Sequence, residues 1–420
     1  MRLSTMLIDR AAAAAAAMLR FDRPADRALS EFFREHRELG RQDRAMVAET
    51  VYALLRRLRL LQHVTQTANP RRLVLATLAL VQGHNVREFE GVVHRRDLEW
   101  LAEVKGAAQA PLPFEVACNL PDWVVARLRA SMDDASIASL AEALNRPAPL
   151  DLRVNVMKGE RNAVVASLAA EGMQAVPTPY SPWGIRLADK PALARHPLFL
   201  DGTIEVQDEG SQLLAVLTGA RRGEMVADFC AGAGGKTLAL GAAMRSSGRV
   251  YAFDVSEKRL AKLKPRVARS GLSNVHPQRI DSERDPRVRR LAGKVDRVLV
   301  DAPCSGLGTL RRNPDLKWRQ REEDVAELTA KQRAILAAAS VLVKPGGRLV
   351  YATCSLLPEE NEAIVEAFLA EHPEFERRSA ATLLEESRIA VPAQVDDYLR
   401  MRPDVQNTDG FFACVMVRRA

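Results

Sequence analysis

Cysteine is scarce and scattered: only Cys118, Cys230, Cys304, Cys354 and Cys414 occur in 420 residues, with no Cys-x-x-Cys pair among them. That spacing argues against a zinc ribbon and a disulfide framework and points to reduced thiols in the cytosol. Long apolar runs are missing as well. Asp9 and Arg10 interrupt the segment around the alanine run Ala11–Ala17, and nothing else nears the roughly twenty apolar residues of a membrane span. Alanine is the best helix former, so a soluble helix is expected there, in a cytoplasmic protein with no membrane partner. No internal repeat is visible. With 47% hydrophobic and 27% charged residues the composition is globular, and the length allows two or three domains. The formal net charge of +8 suggests a polyanionic partner.

From Leu29 to about Leu140 apolar residues recur at helical spacing, as in Met46, Val47, Val51, Leu54, Leu55 and Leu58, so residues 1–145 read as a helical bundle. Arg56, Arg57, Arg59, Arg71 and Arg72 make it basic, as a solvated face or as an RNA contact. Pro147 and Pro149 end the helical pattern. Residues 146–205 alternate in short runs, Leu152–Val156 and Gly184–Leu187, around a helix-like stretch Asn162–Glu171, which predicts a small α+β module, either a linker or a nucleic-acid platform. In residues 206–420 strand-like runs (Met225–Phe229, Val250–Phe253, Val275–Ile280, Val295–Val300, Arg348–Tyr351) alternate with helical stretches such as Ser256–Ala268 and Val325–Val343, and Phe411–Val417 looks like a last strand. This rhythm predicts an α/β, doubly wound, Rossmann-like sheet.

The first of these strands runs into Asp228-Phe-Cys-Ala-Gly-Ala-Gly-Gly-Lys-Thr237. Glycines there let backbone amides approach a ligand at the start of a helix. A P-loop needs glycine where Cys230 stands, and a dinucleotide fingerprint needs a third glycine where Thr237 stands, so both fail. S-adenosylmethionine remains. Asp254, closing the second strand, could accept from ribose hydroxyls, and Asp281, after the third, from the adenine amino group; Asp301 closes the next.

Cys304 and Cys354 follow consecutive strands in loops of Pro, Gly, Ser and Thr, at the carboxyl edge where open α/β sheets bind ligands. Cys118 and Cys414 lie in apolar segments that suit the core, and Cys230 suits packing beside the cofactor. With no His or further Cys close by in sequence the two loop thiols make a poor zinc site, so no metal is expected. Methylation at carbon-5 of a pyrimidine would use both. One thiolate adds to carbon-6, Asp301 hydrogen-bonds or protonates nitrogen-3, and a second thiolate can take the carbon-5 proton. The target base must be unpaired or flipped out. Arg311, Arg312, Lys317, Trp318, Arg319 and Arg321 are then expected to supply phosphate contacts and a stacking surface.

From Glu205 onward the chain resembles the RsmB/Sun family of S-adenosylmethionine-dependent RNA cytosine-5 methyltransferases. The motifs are Val206-Gln-Asp-Glu-Gly-Ser-Gln212, Asp301-Ala-Pro-Cys-Ser-Gly306, Asn313-Pro-Asp315, Thr353-Cys-Ser355, Pro358-Glu-Glu-Asn361 and Asp409-Gly-Phe-Phe412. Glu35–Arg44 and Thr50–Tyr52 look like the NusB-like helical RNA-binding domain of the bacterial rRNA members. The resemblance implies that Cys354 is the nucleophile and that Cys304 assists breakdown of the adduct. It also implies cofactor contacts from Cys230, Ala231, Gly232, Ala233, Gly234, Gly235 and Lys236 with Asp254, Asp281 and Asp301. The family usually reads Cys-Ala-Ala-Pro-Gly-Gly-Lys, where this chain has Gly232 and Ala233. The implied substrate is a cytosine in small-subunit rRNA, with a tRNA substrate or a non-catalytic ribosome assembly role as alternatives, and a monomer is the expected state.

Overall fold

The computed structural model describes residues 3–420, which divide into two compact units: residues up to Pro147 together with Thr309–Glu322, and Ala148–Gly308 together with Glu323–Ala420. The first unit is helical. Its opening helix, Thr5–Met18, is capped by Ser4, whose Oγ accepts from Leu7 N. Within the alanine run Ala11, Ala14 and Ala15 are buried, so small side chains let neighbouring helices approach. Ala25–Glu35, Arg41–Arg56, Leu58–Thr65 and Pro70–Ala76 follow, and Ile8, Val47, Val51, Leu54, Leu55, Leu61, Leu73 and Leu75 form a buried core that includes the helical spacing Val47, Val51, Leu54 and Leu55. Asp134–Leu144 is the last helix before the Pro147–Pro149 break.

Assigning all of residues 206–420 to one domain needs a correction. Thr309–Glu322 packs with the amino-terminal helices, and of its expected RNA-facing residues Arg311 and Lys317 are buried and Trp318 half-buried, while Arg321 stays exposed. Lys317 is 2% exposed and donates to Arg56 O at 3.0 Å, Asn119 O at 2.7 Å and Asn145 Oδ1 at 2.8 Å. Trp318 packs on the helical core with its Nε1 on Leu55 O at 2.9 Å, and Arg311 is buried. Arg319 pairs with Asp315, which itself accepts from Ala25 N. Lys317 and Trp318 therefore anchor the insert on the helical core.

The second unit holds two sheets. The smaller is antiparallel, in the order β2-β3-β1-β4, from β1 (Leu150–Val154), β2 (Ala175–Pro177), β3 (Gly184–Leu187) and β4 (Ile204–Val206), with the helix Arg161–Ala170 between β1 and β2. The larger comprises β5 (Met225–Asp228), β6 (Arg249–Asp254), β7 (Val275–Arg279), β8 (Val295–Asp301), β9 (Val343–Thr353), β10 (Phe375–Arg378), β11 (Tyr398–Met401) and β12 (Phe411–Arg418). Its order is β10-β12-β9-β8-β5-β6-β7. The five strands β5 to β9 are mutually parallel, while β12 is antiparallel to β9 and pairs β10 and β11 on its other edge. Central strands buried on both faces explain the near-continuous Val-Leu-Val runs. The chain leaves β5 toward β6 and β7, then returns to β8 and β9 on the other side. A crevice therefore opens at the carboxyl ends of β5 and β8, where the direction of winding reverses.

Candidate active site

A cavity of about 470 Å³ occupies that crevice. Its walls come from every loop that leaves the carboxyl edge: Asp228–Ala233 after β5, Asp254 and Val255 after β6, Ile280 and Glu283 after β7, Asp301–Cys304 after β8, and Cys354 after β9. Gln207 and Ser211 add a further side.

The structure brings both loop cysteines together. Cys304 Sγ and Cys354 Sγ lie 3.4 Å apart, within hydrogen-bond range for sulfur. The hydrogen bond to Cys354, with burial and the nearby charges of Cys354 and Glu360, pushes the Cys304 thiol well above its usual range, so Cys304 holds its proton. Asp301 accepts from Lys236 Nζ at 2.7 Å. Burial opposes the Lys236 charge, but Asp301, Cys354 and Asp228 outweigh it and leave the ammonium above its ordinary value. The Phe411 ring lies 5.7 Å from that ammonium, a cation–π contact.

The glycine loop wraps one end of the cavity. Asp254 Oδ2 accepts from Gly232 N at 2.8 Å, and its Oδ1 accepts from Ser256 N and from Arg259 Nη2. Gly232 has φ +57° and Gly234 φ +83°, and a Cβ on Gly234 would lie 2.1 Å from Leu263 Cδ1, so the loop can pack here only with glycine at that position. Cys230, Ala231, Gly232, Ala233, Gly235 and Lys236 line the cavity, whereas Gly234 does not. Asp281 also stands outside the lining, its carboxylate paired with Arg279 at 3.0 Å and Arg287 at 3.2 Å. Cys230 lines the cavity with a thiol that burial keeps protonated, and Cys118 and Cys414 are buried as expected.

Sequence reading missed several contributors. The sequence presents Asp228 only as part of the glycine motif, yet it lines the cavity. Thr237 Oγ1 donates to its Oδ2 at 2.6 Å, its Oδ1 finds no partner, and burial raises the carboxyl to about 7. Arg153 on β1 is fully buried and donates to Gln207 Oε1 and Gly235 O, tying the small sheet to the glycine loop. Arg266 Nη1 donates to Ala233 O at 2.6 Å and Nη2 to Glu205 at 2.8 Å, bracing the loop where the family's usual proline is absent. The Val206–Gln212 motif becomes intelligible as a junction: Gln212 reaches Leu152 O and Ser181 Oγ, Glu209 takes the amides of Tyr180 and Ser181, and Asp208 takes Asp409 N. An arginine in an apolar strand and a carboxylate inside a core strand were the available signals.

The sheet order and the ligand-sized cavity at its switch point define a Rossmann-like α/β domain with a small-molecule site. A 16S rRNA methyltransferase RsmB/F family model matches residues 215–417, and an RsmF/B-like ferredoxin-like domain model matches residues 120–193. The chain is 32% identical over 354 residues to the probable ribosomal RNA small subunit methyltransferase B of Bacillus subtilis (strain 168), covering 81% of this chain and 76% of that one. It is 37% identical over 295 residues to the protein of the same description from Synechocystis sp., covering 70% of this chain and 66%, just under two thirds, of that relative. The crystal structure of PH0851 superimposes with a TM-score of 0.80 at 26% identity, covering 99% of both chains. The chain belongs to the RsmB/F family of RNA methyltransferases.

Proposed function

We propose that this protein transfers a methyl group from S-adenosylmethionine to carbon-5 of a cytosine in small-subunit rRNA, through a transient bond between Cys354 and the base. The observation that carries the reading is the pair of thiols 3.4 Å apart in the wall of one cavity with Asp301. The cofactor suits the residues around it. The cavity falls in the size range of small-molecule sites, the buried Asp254 lies beside the glycine loop, and the orphaned Asp228 Oδ1 provides an acceptor for a cationic ligand. When bound, the cofactor supplies an electrophilic methyl group.

This chain's residues do the rest. Cys354 Sγ, as thiolate, bonds to carbon-6, and the displaced ring electrons reach nitrogen-3, which takes the proton that the Lys236 ammonium hands to Asp301 and Asp301 passes on. Lys236 keeps Asp301 oriented through its 2.7 Å contact. Carbon-5 is then electron-rich and takes the methyl group. Cys304, its own proton released to solvent, takes the carbon-5 proton as a thiolate; the C–H electron pair re-forms the carbon-5–carbon-6 double bond, the Cys354–carbon-6 bond breaks to leave the Cys354 thiolate, and nitrogen-3 returns its proton through Asp301 to Lys236. Such chemistry needs the base clear of a helix. The choice of rRNA follows the names of the relatives. For the amino-terminal helical unit a NusB-like RNA-binding role completes the proposal, supported by a groove of about 690 Å³ lined by Arg56, Arg57 and Arg146.

Incubation with labelled S-adenosylmethionine and separate rRNA and tRNA pools, followed by mapping of 5-methylcytosine, tests the substrate. Label confined to tRNA would reassign it. Cys304→Ala should trap a protein–RNA adduct that survives denaturing gels, and Cys354→Ala should form none. The opposite pattern would exchange the roles of the two sulfurs.

A further inference from the structure

Behind the thiols one carboxylate touches both of their loops. Glu360 is fully buried; its Oε1 accepts from Ser305 N at 2.8 Å and from Gln332 Nε2 at 2.9 Å, and its Oε2 accepts from Ser355 Oγ. Ser305 directly follows Cys304, and Ser355 directly follows Cys354. The same side chain thus grips the residue next to each sulfur. The two serine hydroxyls meet at 3.1 Å, and Tyr351 OH donates to Glu360 O at 2.7 Å. Asn361 completes the clamp: it accepts from Thr353 Oγ1 at 2.5 Å and donates to Ser355 O at 3.2 Å, so the residues on both sides of Cys354 are held.

Strands β8 and β9 are hydrogen-bonded neighbours as far as Asp301 and Ala352, and beyond them the ladder ends, with backbone bonds from Ala302 N to Ala352 O and from Gly308 N, four residues past Cys304, to Cys354 O. Something other than the sheet must set how the two sulfurs face each other. A buried carboxylate is costly unless donors surround it, and here three do. We propose that Glu360 is the positioning residue of the thiol pair, receiving one donor from each cysteine loop and thereby setting the separation at which one sulfur bonds to the ring while the other takes its proton. This rests on the two-thiol reaction proposed above.

The test separates reach from charge and uses a readout that needs no RNA. Glu360→Gln keeps the length and can keep every contact: its carbonyl accepts from Ser305 N and Gln332, and its amide donates to Ser355 Oγ, which then donates to Ser305 Oγ. Glu360→Asp keeps the charge but is one methylene too short to reach both loops. In the first measurement an azodicarboxamide oxidant joins the two sulfurs. Both thiols lose hydrogen, the nitrogen–nitrogen double bond is reduced to a hydrazine, and mass spectrometry follows the loss of two hydrogens from the protein. Native protein and Glu360→Gln should close this disulfide at similar rates, and Glu360→Asp about 10-fold more slowly. In the second, kcat on rRNA should fall about 100-fold in Glu360→Asp with KM little changed, while Glu360→Gln stays within about 10-fold of native. Ser355→Ala, which removes only the Oε2 donor, should shift both readouts in the direction of Glu360→Asp should that variant fail to fold. Native-rate disulfide closure in Glu360→Asp, or in Ser355→Ala if only that variant folds, would overturn the clamp. Absence of any RNA adduct in Cys304→Ala would instead sink the two-thiol reaction, and the oxidation rates would still decide what Glu360 does.

Discussion

Asp228 shows how much one side chain can depend on its surroundings. It closes β5 with one oxygen satisfied by Thr237 and the other without a partner, and burial, eased by Thr237 and Lys236 and reinforced by Asp301 and Asp254, raises it to about 7. Below that pH the group is neutral; above it the group is an anion on the cavity wall. A cationic cofactor competes with the proton for the ionised form, so its affinity should rise as pH climbs through 7. We expect binding about 10-fold weaker at pH 6 than at pH 8 by isothermal titration calorimetry, and a flattened profile in Asp228→Asn. A native profile that is level across this range would show that the carboxylate does not meet the ligand. Sequence alone placed Asp228 at a strand end but could not show that its second oxygen would be stranded, because that depends on what every neighbouring loop does.

Among elements, the short helix Leu316–Arg319 departs furthest from its sequence reading. Lys317 and Trp318 beside four arginines have the composition of a nucleic-acid contact, yet Lys317 is buried on three neutral oxygens, and its ammonium is pushed well below its usual range by burial and by Arg57 and Arg56. Replacing it strands acceptors that water cannot reach. Lys317→Met should therefore destabilise the helical unit by at least about 2 kcal/mol in urea unfolding, although methionine fills most of the volume. An unchanged midpoint would mean the three oxygens find other donors. Because the folded state favours the neutral amine, the native unit should also gain stability as pH rises from the depressed Lys317 value toward the ordinary lysine range, where only the unfolded chain still binds the proton. Methionine at 317 should remove that gain.

For the whole molecule, the chain path matters more than the inventory of domains. The polypeptide leaves the α/β unit after Gly308, contributes Thr309–Glu322 to the helical unit, and returns for the long helix Glu322–Ser340. Residues 1–147 are thus short of part of their own core. A fragment of residues 1–147 should melt below the helical unit of the full chain, and a synthetic peptide of residues 309–322 added in trans should raise its melting temperature, as any ligand of the folded form does. No rise at saturating peptide would show that the insert is a passenger.

The alternation of strands and helices from β5 to β9, the glycine loop, and the places of Asp254, Asp301, Cys304 and Cys354 at or just beyond strand ends were legible in the sequence, because each depends on local rules: strand period, turn chemistry, and the position of a residue relative to its strand. Tertiary structure alone decided the rest. Asp281 follows its strand as expected and turns to Arg279 and Arg287, Lys317 lies inside the helical unit, and Arg153, Glu360 and Arg266 reach across 82, 55 and 33 residues of chain to hold the site's loops. A residue's neighbours along the chain set its local conformation, but whether a charge ends in water, in an ion pair or beneath a catalytic loop is settled by partners brought close only by folding.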